Sequence, residues 1–153
     1  MRVLGVRCSN TDYYFCLLSG DAASPQVEFM KHVNFPNGFS EAETLRWLYQ
    51  EFQEIFRSQH IDCVGIKRAE TNAKRSNSLE FRIQAEAIVS LAATEAGCPS
   101  VERKVASTIA KGLGLKGKAK YLETKLDTSA IAGFNTHPAK QQEAILVAWS
   151  CMG

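Results

Sequence analysis

The sequence predicts an α/β fold built on a five-stranded mixed sheet, with a three-strand antiparallel meander first, parallel strands after it, and helices covering both. Three observations predict it. Three strand-like segments precede the first helical pattern, and two later strand-like runs each arrive only after a helix, the order expected of a mixed, helix-covered sheet. No apolar run approaches the roughly 20 residues that a membrane span needs.

Arg2–Cys8 and Tyr13–Leu18 are rich in β-branched and aromatic residues and flank Ser-Asn-Thr-Asp, a hairpin turn. Ser19–Pro25 forms a second turn region, and Gln26–Val33 alternates like a half-buried strand, with Val27 and Phe29 on one face. Pro36 and Gly38 break the pattern. Ser40 then opens a helix with a capping box, because Glu43 stands three residues on and each side chain can satisfy the other's backbone donor. Leu45, Leu48, Tyr49, Phe52, Ile55 and Phe56 follow at helical spacing as one apolar stripe.

Cys63–Ile66 is short and apolar, as a buried strand is. The polar stretch Lys67–Asn77 leads into a second helix from about Ser78 to Ala96, ended by Gly97. That helix is apolar nearly all round, and its alanines place it between the sheet and another helix. Pro99–Lys104 reads as the fifth strand and Val105–Leu113 as a short helix. A further helix is expected near Tyr121–Leu126, and the last runs from Pro138, a favoured first-turn residue, to about Met152.

Length and composition agree with one domain over residues 1–153. A chain this long buries roughly two thirds of its unfolded surface, and 45% hydrophobic with 22% charged residues is ordinary for a globular chain. The opening residues lack the apolar stretch of a signal peptide, so a cytoplasmic location is expected. The five cysteines (Cys8, Cys16, Cys63, Cys98, Cys151) are widely spread with no CxxC pair, and His32, His60 and His137 sit near no cysteine pair, so the cysteines read as core thiols in a reducing compartment and no metal or cofactor is expected. Net charge is +2, unevenly spread. Residues 65–125 hold 12 basic and 6 acidic groups, and an anionic partner would be sought there.

Several stretches resemble the RNase H-like superfamily, RuvC-type resolvases especially. MRVLGVRCSN resembles the first strand and turn where those enzymes read something like GIDPGS. IDCVGIKRAE is similar to the strand that ends in a catalytic Glu, and IQAEAIVSLAATEAG to the alanine-rich central helix. KVASTIAKGLGLKGKAK resembles the strand, short helix and basic loop that follow, and HPAKQQEAILVAWS the final helix, whose first turn supplies the remaining acids. In its short form the chain also resembles a small bacterial family of RNase H-like proteins with a degenerate active site.

The resemblance implies a two-metal phosphodiesterase site, in which carboxylates hold cations about 4 Å apart. At the positions it assigns to those carboxylates stand Arg7, Lys67 (followed by Arg68) and Lys140, with Glu143 alone retained. Asp12, Asp62 and Glu70 are the acids that a shifted alignment would substitute. The expectation is a catalytically inactive domain, a pseudo-nuclease, that binds nucleic acid or a protein partner, possible also as a homodimer. The residues expected to touch a phosphate backbone are Arg7, Lys67, Arg68, Lys74, Arg75, Lys116, Lys118 and Lys120. Two other readings stay open: an active metal-dependent nuclease using displaced acids, and a structural or assembly protein without nucleic-acid affinity. For Arg7 and Lys67, pairing with Glu143, Glu70 or another acid is the alternative to phosphate binding.

The run from Gly112 to Ala119 matches a P-loop up to its last position, but Ala119 replaces the Ser or Thr that would hold Mg²⁺, and a helix precedes it, so a basic loop is the better reading. Between Ile66 and Lys120 the only aromatic is Phe81, expected in the core, which argues against base stacking there.

Overall fold

The computed structural model describes residues 1–115 and 126–153. Among these, strands β1 (Arg2–Cys8), β2 (Asp12–Asp21), β3 (Ser24–Asn34), β4 (Cys63–Lys67) and β5 (Ser100–Lys104) form one sheet in the order β3-β2-β1-β4-β5. The first three strands are an antiparallel meander, and β4 and β5 join parallel to β1 and to each other. This is the expected five-stranded mixed sheet. The expected helix near Tyr121–Leu126 falls almost wholly outside the described residues, as do Lys116, Lys118 and Lys120.

Both turns of the meander are tighter than the sequence suggests, so β2 and β3 run further into them. Ser9 N–H donates to the Asp12 carbonyl (2.9 Å), and Asp21 Oδ1 accepts from the backbone of Ala23 (3.0 Å) and Ser24 (2.9 Å). An aspartate that turns the chain with its own side chain lets pairing begin at once on either side.

Helix α1 (Glu41–Ser58) starts with the expected capping box: Ser40 Oγ accepts from Glu43 N–H (3.1 Å) and Glu43 Oε1 from Ser40 N–H (3.0 Å). Its stripe buries Leu48 and Phe52 against Leu4, Val6, Tyr13 and Phe15. Helix α2 (Asn77–Glu95) packs beside α1 on the same face and buries Phe81, Ala85, Val89, Ala92 and Ala93. The expected packing against the sheet and another helix is present, but the helix is not covered all round. Ile83 and Leu91 remain 43% and 48% exposed, with Ala87 exposed between them, so the outer face of α2 is apolar yet open.

Helix α3 (Ala106–Gly112) follows β5, and a single 3₁₀ turn (Phe134–Thr136) precedes α4 (Ala139–Ser150), which Pro138 caps from just outside. Helix α4 covers the other face of the sheet, burying Ile145, Ala148 and Trp149 against Val3, Cys16, Leu18 and Cys63. The molecule thus has two cores, one on each side of the sheet. No helix among the described residues is long and apolar enough to cross a membrane.

Candidate functional site

Where α4 crosses the sheet is decided by two glycines. A Cβ on Gly5 would lie 1.9 Å from the Ala144 carbonyl oxygen, and one on Gly65 would lie 3.0 Å from that of Val147. With no side chains there, the helix settles directly on β1 and β4. The helix meets β1 through Ala144 and Ala148 and β4 through Val147 and Cys151, and on the same face Arg7 and Lys67 stand at the C-terminal ends of those two strands.

Arg7 Nε donates to Glu143 Oε2 at 2.5 Å, and its Nη1 donates to the Cys8 carbonyl. The Arg7 side chain is only 12% exposed. Lys67, buried at the end of β4, gives its ammonium to Glu70 Oε2 (2.8 Å) and to the Arg68 carbonyl (2.9 Å). Glu70 also accepts from Ala106 N–H (3.1 Å) at the start of α3. Burial pushes the Glu70 carboxyl up, but the hydrogen bonds from Lys67 and Ala106 outweigh it and hold the group below its ordinary value.

Lys140, the third position, is close enough to Asp12 for its charge to act on that carboxyl. Asp12 accepts from Ser9 Oγ and lies 2.7 Å from His32 Nε2. Burial raises this carboxyl, while Ser9, His32 and the charge of Lys140 together hold it low. The His32 ring stacks on Tyr14, with centroids 4.1 Å apart.

The residue that organises the centre is one that the sequence reading did not single out. Glu86, fully buried in α2, accepts from Arg82 Nε (3.1 Å), Arg103 Nη2 (2.8 Å) and Ala69 N–H (3.2 Å). Arg82 in turn donates to the Lys67 carbonyl (3.1 Å). Its guanidinium is pushed below its ordinary value by burial and by the nearby charge of Arg7, against the pull of Glu86 and Glu143. Four cations (Arg7, Lys67, Arg82, Arg103) are therefore interleaved with three carboxylates (Glu143, Glu70, Glu86). A buried carboxylate survives only when paired in this way. The one available signal was an acid in the middle of an alanine-rich helix with an arginine four residues before it.

The remaining candidates scatter. Arg68 is half-buried, and its Nε is buried with no hydrogen-bond partner among the described residues. Lys74 and Arg75 are exposed, Arg75 pairing with Glu80 at 2.8 Å. Of the substitute acids, Asp62 lies at the opposite end of β4, where it accepts from Arg2 N–H (2.8 Å) and pairs with His60. Beside the charged end, an open groove of about 380 Å³ is lined by Asn10, Phe35, Phe39, Asn77, Ser78 and Phe81, with Phe39 45% exposed. Phe39 belongs to a loop, where no periodicity marks it.

The donor set at the charged end does not fit a pair of divalent cations. Each carboxylate is already engaged by a guanidinium or an ammonium, and adding cations to a cation-rich cluster is opposed by repulsion. Among the described residues, the three-residue group whose ligand atoms lie within 4.8 Å of one another is Cys63, Glu102 and Cys151, elsewhere under α4.

Neither a family model nor a curated protein matches the chain. Solved structures do match in fold. RuvC of Thermus thermophilus superposes with a TM-score of 0.73 at 18% identity, over 98% of this chain and 92% of that one. The T. thermophilus RuvC solved in complex with a Holliday junction substrate gives 0.70 at 18% identity, over 98% and 91%. The yeast mitochondrial Holliday junction resolvase Ydc2 gives 0.64 at 15% identity, over 99% and 77%. The chain has the RuvC-type, RNase H-like fold over nearly its whole length.

Proposed function

We propose that residues 1–153 form a single RuvC-like domain that does not cleave phosphodiesters and binds nucleic acid through its phosphate backbone. The observation that carries the reading is the Arg7–Glu143 ion pair, seated with Lys67–Glu70 where the resemblance would place metal-binding carboxylates. A site whose acids are neutralised by internal cations has no free donors for Mg²⁺. Backbone binding is supported by the basic excess of residues 65–125 and by the exposed Lys74 and Arg75. Lys116, Lys118 and Lys120 extend that surface on sequence grounds. RuvC of T. thermophilus has been solved with a Holliday junction substrate, so branched DNA is the first ligand to try. The five free cysteines support a reducing, cytoplasmic setting.

A gel-shift series with branched, duplex and single-stranded DNA and RNA, with and without Mg²⁺ or Mn²⁺, tests the proposal. The expected result is a shift at low salt, weakening as salt rises, with no metal-dependent products. Metal-dependent cleavage that disappears in Glu143→Gln would establish the nuclease reading instead. The absence of any shift at low salt would leave the assembly reading and point to a protein partner.

A homodimer is supported by the open apolar face of α2, where Ile83, Ala87 and Leu91 stand one turn apart. Light scattering on the purified chain and on Leu91→Lys tests it: a dimer mass that falls to that of a monomer in the variant is expected, and a wild-type monomer rejects it.

A further inference from the structure

We propose that Cys63, Glu102 and Cys151 form a three-ligand site for a thiophilic divalent cation of the zinc class. Their three ligand atoms lie within 4.8 Å of one another. Tetrahedral zinc, with bonds of about 2.3 Å to sulfur and about 2.0–2.2 Å to oxygen, needs its ligands roughly 3.5–3.8 Å apart. The set therefore has to close by at most about an ångström, a movement that side-chain rotation can supply.

Three separate elements build the site. Cys63 and Gly65 project from β4 toward α4, and Glu102 of β5 is the Cα partner of Gly65. Cys151 is the C-cap of α4, and its Sγ would be 2.9 Å from a Cβ on Gly65. The missing side chain of Gly65 is thus the space in which the Cys151 thiol sits, between Cys63 and Glu102. Being at the end of the helix, Cys151 can adjust without disturbing the helical hydrogen bonds.

Charge and donor softness favour the same ligand. Two thiolates and a carboxylate carry three negative charges. A dication removes two of them. The Lys104 ammonium, 3.3 Å from Glu102 and held by the Ser150 carbonyl (3.1 Å) and hydroxyl (3.3 Å), balances the third. Because Ser150 anchors this lysine independently, it stays in place when Glu102 turns to the metal. Two sulfur donors select zinc-class ions over Mg²⁺ or Ca²⁺, which want oxygen. Solvent supplies the fourth position on the Glu102 side, where that side chain is 43% exposed. Two thiols that merely filled a core would have no reason to share their space with a carboxylate and an ammonium.

Cobalt titration of the reduced chain under oxygen-free conditions tests this. One equivalent of Co²⁺ is expected to produce a sulfur-to-cobalt charge-transfer band with tetrahedral ligand-field absorption, and Zn²⁺ is expected to bleach both. Cys63→Ser and Cys151→Ser should each abolish the charge-transfer band, and Cys98→Ser should leave it. Glu102→Gln should weaken Co²⁺ binding about tenfold or more, through loss of one charged donor. Circular dichroism confirms that each variant folds. Should a serine variant not fold, protection of Cys151 from alkylation by Zn²⁺ in the wild-type chain, read by peptide mass spectrometry, decides the matter. No charge-transfer band, a band indifferent to both serine variants, or no protection would overturn the site. So would a Cys63–Cys151 disulfide whose re-reduced form takes up no metal. None of these results bears on nucleic-acid binding.

Discussion

Gly5 of β1 and Gly65 of β4 are Cα partners in adjacent parallel strands, and α4 lies directly over the pair. One contact sets two sites. It brings Glu143, near the start of α4, onto Arg7, and it brings Cys151, at the helix's end, beside Cys63.

Substituting these glycines should therefore lift the helix. The Cβ of Gly5→Ala would meet the backbone oxygen of Ala144, which cannot rotate away, so a loss of about 3 kcal/mol or more is expected. Gly65→Ala meets Cys151 Sγ and the Val147 carbonyl at 2.9 and 3.0 Å and should lose less, about 1–3 kcal/mol. Urea denaturation gives the order, and equal losses would show that α4 does not sit as described.

Glu86→Gln leaves Arg82 and Arg103 facing each other without their counter-charge. Removing one partner of a buried ionic group typically costs about 3 kcal/mol. Arg103→Ala should cost clearly less, since its side chain is 35% exposed and Arg82 remains to neutralise the acid. Shifted denaturation midpoints at an unchanged slope measure both. A Glu86→Gln variant as stable as wild type would mean that the network contributes nothing.

Asp12 makes stability depend on acid. Its folded-state carboxyl is held below the unfolded value, so its contribution is fully present above about pH 4 and is lost as pH falls through the lower, folded value. Asp12→Asn should cost about 1 kcal/mol at pH 7, the scale of a charge-assisted hydrogen bond reduced by the exposure of His32. The gap between variant and wild type should close toward pH 3 and below. A gap that is constant over pH 3–7 would remove Asp12 from the account.

Charge removal at Lys116, Lys118 and Lys120 should flatten the salt dependence of duplex binding by about 0.9 log units per lost phosphate contact. Fluorescence anisotropy at several salt concentrations reads the slope. An unchanged slope would place the phosphate contacts elsewhere, with Arg68, Lys74 and Arg75 next to be tested.

The sequence by itself determined the order of elements, the capping box at Ser40 and the apolar stripe of α1, because periodicity and capping depend on residues a few positions apart. It also determined which residue types occupy the ends of β1 and β4, so the basic character of Arg7 and Lys67 was legible beforehand. Only the tertiary structure decided their partners. Arg7 meets Glu143 and Cys63 meets Cys151 because a helix from the far end of the chain settles onto two glycines, a relation that no local pattern records. Glu86 was hidden for a related reason: the helix read alone shows its i,i+4 partner Arg82, but not its burial or the Arg103 and Ala69 donors that other elements bring to it.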